Sequence, residues 1–177
     1  MEFTDLIRVR RSTRKYTEQR VTEDQLREII AAAIESPTWK NCQSWRFYCL
    51  CTEESCEAFR GACLPGKNHE NAENAALIVT TFVKGRSGFS RDGSQDNEVG
   101  DGWGFFDNGI ATENIVLKAK DMGLDTLIMG IRDEKAIRRF LNVPDDQIIC
   151  AVISVGYGSD PHDKPRRKSV DDVAEFI

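Results

Sequence analysis

The groups best suited to chemistry fall in a few short stretches. Residues 8–20 hold Arg8, Arg10, Arg11, Arg14, Lys15 and Arg20 against one acid, Glu18. A second basic island, Lys164, Arg166, Arg167 and Lys168, lies near the C-terminus. The chain as a whole is acidic, with a formal net charge of −5 at pH 7. Two basic islands in an acidic chain point to a specific small anion, because forked guanidinium donors beside a hydroxyl such as Ser12 suit phosphate. The competing reading is two solvated charge runs. The acidic balance argues against a nucleic-acid partner.

Other candidates are weaker taken singly. Asn41 and Gln43 lie in a polar stretch, residues 38–44, and an amide both donates and accepts; alternatively, each satisfies its own loop backbone. Met129-Gly130 ends an expected strand, where a glycine lets a ligand approach the backbone or simply makes a turn. Trp103 and Phe106 flank a long aperiodic segment and are candidate pocket walls, whereas Trp45 reads as core. None of the six cysteines forms a Cys-x-x-Cys pair, and Cys56, Cys63 and His69 match no common zinc spacing. Cys42 reads as a small filler, and neither His69 nor His162 falls in a catalytic motif. Gly156-Tyr157-Gly158 follows a strand but opens no helix, so no dinucleotide fingerprint is present.

These groups must be held by a chain of 177 residues, a length that fits one domain. Met1 is followed by Glu2 and Asp5, not by a basic region and a long apolar run. No signal peptide and no membrane span are expected, and the cytoplasm is the default location. A short helix is expected from Thr4 to Val9. Thr22 and Gln25 form a capping box for a helix whose apolar face is Leu26, Ile29, Ile30, Ala33 and Ile34. A strand is expected over 45–51, a helix over 53–63 and a strand over 76–83, the last so continuously apolar that both faces must be buried. Residues 84–104 lack periodicity and form a mobile-loop candidate. A helix over 105–122 ends at Gly123, a strand covers 126–131, Asp133 caps a helix to Leu141, and a strand covers 148–155. Residues 159–177 form a tail, in which Ser169 and Asp172 open a short helix. The sum is an α+β fold: a small mixed β-sheet flanked by helices.

Three segments, in this order, resemble the nitroreductase family. Arg10-Arg11-Ser12-Thr13-Arg14 is similar to its N-terminal basic motif. Ser36-Pro37-Thr38-Trp39-Lys40-Asn41-Cys42-Gln43-Ser44-Trp45 is similar to its helix-to-strand loop, with Ser44 where the family usually has proline and Thr38 where it often has serine. Glu113-Asn114-Ile115-Val116-Leu117, Gly123-Leu124 and Met129-Gly130 resemble its long helix and following strand, and Arg166-Arg167-Lys168 its basic tail. The resemblance implies a three-layer sandwich in an intertwined homodimer, with FMN as cofactor and NAD(P)H as transient electron donor. It implies that Arg10, Arg11, Ser12, Arg14, Pro37, Thr38, Asn41, Gln43, Met129, Gly130, Arg166 and Arg167 bind FMN. Asn41 and Gln43 would meet the pyrimidine edge of the flavin, and Arg14 would stabilise charge near N1 and the C2 carbonyl. The implied activity is ping-pong hydride transfer to a nitroaromatic, quinone or similar acceptor, with no protein nucleophile. The same scaffold also implies alternatives: a flavin carrier, a redox sensor, or a reductive dehalogenase-like enzyme.

Overall fold

The computed structural model describes residues 1–160 and 163–177; His162 lies outside them. Four strands, β1 (Trp45–Leu50), β2 (Ala76–Val83), β3 (Asp125–Met129) and β4 (Gln147–Gly156), form one sheet in the order β1-β2-β4-β3. Central β2 and β4 are covered on both faces, which is why β2 reads as an unbroken apolar run. Every strand pairing is antiparallel, so the sheet is not mixed as expected; the parallel element is a single bridge between Ser12 and Thr126.

Alternate β2 side chains serve opposite layers. Ile78 faces a core built with Leu26, Ile29 and Ala33 of α2 (Glu23–Ile34) and Ala111, Ile115 and Ala119 of α5 (Gly102–Asp121). Leu77 and Val79 face Cys56, Phe59 and Cys63 of α3 (Glu53–Cys63) and Ala136 and Ile137 of α6 (Glu134–Leu141). Helices on both faces of one sheet make a three-layer α+β sandwich. A bulge at Cys150 of β4, opposite Thr80 and Thr81, shifts the register of the pair, and Asn108 of α5 donates to the Thr81 carbonyl at 3.0 Å. No helix among the described residues is long and apolar enough to cross a membrane.

Local signals explain most boundaries. The Thr22–Gln25 capping box forms in both directions. Asp133 accepts from the Ala136 N–H, and Gly123, at φ 79°, closes α5. Five expectations are corrected. Helix α1 (Phe3–Val9) starts before Thr4, on Glu2, without a side-chain cap. A short α4 (Lys67–Asn71) was not foreseen. Helix α5 begins three residues early, at Gly102, so the irregular segment ends sooner. Strand β3 stops at Met129 rather than 131. Ser169 and Asp172 each donate a backbone N–H to the other's side-chain oxygen but hold only a turn.

Candidate functional site

Helix α5 carries a functional candidate at each end. Near its N-terminal end sits the loop that joins α2 to β1. Asn114 of α5 donates to the Ala32 carbonyl and to Ser36 Oγ, fixing where α2 stops before Pro37. The loop then turns through a 3-10 segment, Trp39–Asn41, in which Lys40, Asn41 and, just beyond, Gln43 all take positive φ. Left-handed backbone costs non-glycine residues energy, so surrounding contacts must impose it. They are visible. The buried carboxylate of Asp107 accepts from the Trp39 N–H at 2.9 Å and from Ser87 Oγ at 2.7 Å. Ser87 Oγ also pairs with Ser44 Oγ at 2.8 Å and Cys42 Sγ at 3.2 Å. Thr38 Oγ1 accepts from the Gln43 N–H, and Gln43 Nε2 donates to Asn41 Oδ1. Asp96 receives Lys40 Nζ at 2.6 Å, Trp39 Nε1 at 2.9 Å and Ser90 Oγ at 2.5 Å. These bonds, the Lys40 one first and then Ser90, hold its carboxyl down at about 2.

The aromatic candidates gather at the same end. The Trp103 ring lies 4.5 Å from Trp39 and 5.3 Å from Phe106, and Phe106 is exposed. Thus Thr38, Asn41, Gln43, Trp103 and Phe106 lie at one end of α5. Asp107, Ser87, Asp96 and Asn114 were missed. A signal existed: Asp107 lies one and two helical turns before Ala111 and Ile115, on the apolar stripe of α5.

The basic motif is at the other end. Residues 10–16 strap the sheet edge, with Thr13 N–H donating to Thr126 O and Tyr16 bridging Gly158. Tyr16 Oη pairs with Thr13 O and Ser154 Oγ, and burial, above all, pushes its pKa up. Val9, Arg11 and Thr13 share a cavity of about 390 Å³ with Lys120, in the last turn of α5, and Asp125. Arg11 Nη1 donates to the Arg8 and Arg10 carbonyls, closing the end of α1, while its buried Nε has no partner among the described residues. Arg14 donates once, to Ser12 O. Among the described residues no hydrogen bond or ion pair occupies the Arg10 guanidinium. Gly130, after β3, has open space where a Cβ would stand. Arg167 donates to Pro165 O, and residues 163–177 are exposed. Among the described residues no hydrogen bond links Arg166 or Arg167 to the strap.

The two groups therefore do not meet within one chain. From Asp107 to Lys120 is thirteen residues, about 20 Å of helix at roughly 1.5 Å each. The sheet agrees. Thr126 pairs with Val155 on one edge, whereas Trp45, on the opposite edge, is level with Phe82 and Ile148. Strap and loop occupy opposite corners.

Residues 7–157 match the model of the nitroreductase family. The chain belongs to that family. A protein of Archaeoglobus fulgidus, provisionally named NADH dehydrogenase/NAD(P)H nitroreductase, is 30% identical over 92% of this chain and 88% of its own length. The chloronitrobenzene nitroreductase of Comamonas testosteroni is 28% identical over 86% and 85%. Among solved structures, a nitroreductase family protein of Streptococcus pneumoniae superposes with a TM-score of 0.85, at 20% identity over 99% of this chain and all of that one. An oxidoreductase containing FMN superposes with a TM-score of 0.73, at 24% identity over 88% and 76%. The fold of the family is thus shared over almost the whole chain, and the family places the chain among oxidoreductases.

Proposed function

We propose that the chain is an FMN-dependent NAD(P)H oxidoreductase that works as a homodimer, with each cofactor site built from both subunits. One observation carries the reading: α5 separates the strap from the loop by about 20 Å. Arg14 and Asn41 are both assigned to the pyrimidine end of one flavin, so both must reach the same ring. Within a chain they do not. Two copies related by a two-fold axis set the strap of one against the loop of the other and complete two equal sites. Exposed Phe3 and Ile7 of α1, Phe105 and Phe106 of α5 and Ile128 of β3 supply apolar surface for that contact.

The residues present fit FMN. Arg10, without a partner among the described residues, and Ser12 would take the phosphate, joined by Arg166 and Arg167 of the tail. Arg11 ties Nη1 to the backbone of the strap and would turn its remaining donors to the same phosphate. Arg14 would set positive charge beside the pyrimidine ring. Pro37 and Thr38 fix the loop that aims Asn41 and Gln43 at that ring, and Met129-Gly130 leaves its backbone open. When bound, FMN supplies two-electron transfer from NAD(P)H to an acceptor. Trp39, Trp103 and Phe106 would form the apolar wall against which donor and acceptor sit in turn, giving ping-pong kinetics. The relatives named for nitroaromatic reduction support a nitroaromatic acceptor, and a quinone is the alternative.

The visible spectrum of the purified protein tests this. Flavin absorption should bleach anaerobically with NADPH or NADH and return with a quinone or nitroaromatic. Flavin that no donor bleaches would favour a carrier or sensor, and protein that neither carries nor takes up FMN would refute the proposal.

A further inference from the structure

A second cavity, of about 800 Å³, opens beside the flavin loop, with Lys40 and Cys42 in its wall and the irregular segment after β2 as its rim. Its size suits a nucleotide-sized ligand. The rim is built rather than slack. Ser90 N–H donates to the Ser94 carbonyl, and Asp96 N–H returns to Gly88 O. Gly88 (φ 86°) admits no side chain, because a Cβ would lie 2.4 Å from the Gly100 carbonyl oxygen.

The charges in this wall are sorted. Asp92 is turned onto Ser94, accepting from its N–H at 3.0 Å and its Oγ at 2.6 Å. Asp96 is consumed by Lys40, Trp39 and Ser90. Arg86 and Arg91 line the cavity and, among the described residues, neither side chain has a hydrogen bond or ion pair. Two unspent guanidinium forks on one rim suit a phosphate dianion. The half-buried ring of Phe89 stands between them in sequence and lines the same cavity, offering a face to a planar base.

We propose that Arg86, Arg91 and Phe89 bind the 2′-phosphorylated adenosine end of the electron donor, so that NADPH is preferred over NADH. This rests on the oxidoreductase reading, since it assigns a donor to that site. The recognised chemistry is a phosphate monoester beside a planar base. A phosphorylated electron acceptor is the other source of such chemistry.

Calorimetry with adenosine 2′,5′-bisphosphate, and with 5′-AMP as control, tests binding without any redox step. The wild-type protein should bind the bisphosphate at least about tenfold more tightly than 5′-AMP, and an Arg86→Ala/Arg91→Ala double variant should lose that gap. Both arginines are exposed, so the variant should keep its far-UV circular dichroism. Equal wild-type affinities, or a gap that survives the double substitution, would overturn the proposal. Steady-state kinetics separate the sources. KM for NADPH should rise about tenfold in the double variant while KM for NADH stays within about twofold. A loss confined to a phosphorylated acceptor would overturn the assignment to the donor. The calorimetric result stands apart from the flavin spectrum: a bisphosphate site on a protein that takes no FMN would refute the oxidoreductase reading, while a flavoprotein without the gap would refute only this one.

Discussion

The two ends of α5 are built on different plans. At the N-terminal end the polar groups satisfy one another. Asp107 serves Trp39 and Ser87, Asp96 serves Lys40, Trp39 and Ser90, and Thr38, Asn41 and Gln43 are bonded among themselves. At the C-terminal end the strap is anchored by backbone and by Tyr16, but the Arg10 guanidinium has no assigned partner and Arg14 only a neighbouring carbonyl. The first end fixes a shape before any ligand arrives; the second offers charge that nothing among the described residues consumes. On the proposed two-subunit reading, a site that needs both a rigid shape and unspent charge would obtain them by joining unlike ends of two copies.

The comparison can be broken at the rigid end first. Asp107→Ala leaves the Trp39 N–H and a Ser87 hydroxyl short of their buried acceptor, and should destabilise the fold by roughly 3 kcal/mol in urea unfolding and release flavin. A variant with wild-type stability would mean that the network does not hold the loop. At the charged end the pattern should reverse. Arg10→Ala should weaken FMN binding by about ten- to a hundredfold yet shift stability by less than about 0.5 kcal/mol, as read by flavin titration beside urea melts. Unchanged FMN affinity would remove Arg10 from the site.

A smaller effect should separate anchor from ligand. Tyr16→Phe removes the bonds to Thr13 and Ser154 and should cost about 1 kcal/mol, with only a modest loss of FMN, since the strap keeps its backbone pairing. The smallest effect concerns acid. The Asp96 carboxyl is depressed in the folded chain, so its bonds contribute fully above the unfolded carboxylate value of about 3.9 and are lost only as pH falls from there through about 2. Fluorescence from Trp39 and Trp103 should therefore stay flat from pH 7 to about pH 4. A transition near pH 5 to 6 would show that the Asp96 clamp is not what holds Trp39.

The legible parts of the molecule are those whose causes lie close in sequence. Thr22 with Gln25, Asp133 with Ala136, and Gly123 each act within a few residues, and all three boundaries were found. The apolar run of β2 reported its burial on both faces. Polar Lys67–Asn71 has no periodicity and no side-chain cap, so nothing local marked α4. Gly102 and Gly104 disguised the start of α5 as loop; Gly104 is there because a Cβ would strike the Phe82 ring. The loop residues Thr38, Asn41 and Gln43 were recognisable as a motif, but their supports were not. Ser87 lies 43 residues from Ser44 and Asp107 lies 68 from Trp39, and only the tertiary fold brings such partners together. Likewise, no local pattern reveals that strap and loop stand at opposite corners, the observation on which the proposed second subunit rests.

Mixed assembly tests that claim most directly. Chains carrying Arg10→Ala and chains carrying Asn41→Ala would be purified separately, unfolded, refolded together, and assayed for bound flavin. If each site takes its strap from one subunit and its loop from the other, a mixed dimer has one doubly defective site and one intact site. Flavin should then return to about a quarter of wild-type occupancy after random mixing, although each variant alone is depleted. If strap and loop serve the same site within one chain, every site in the mixture carries one defect. Flavin would then stay at the level of the separate variants, and the two-subunit account would be wrong.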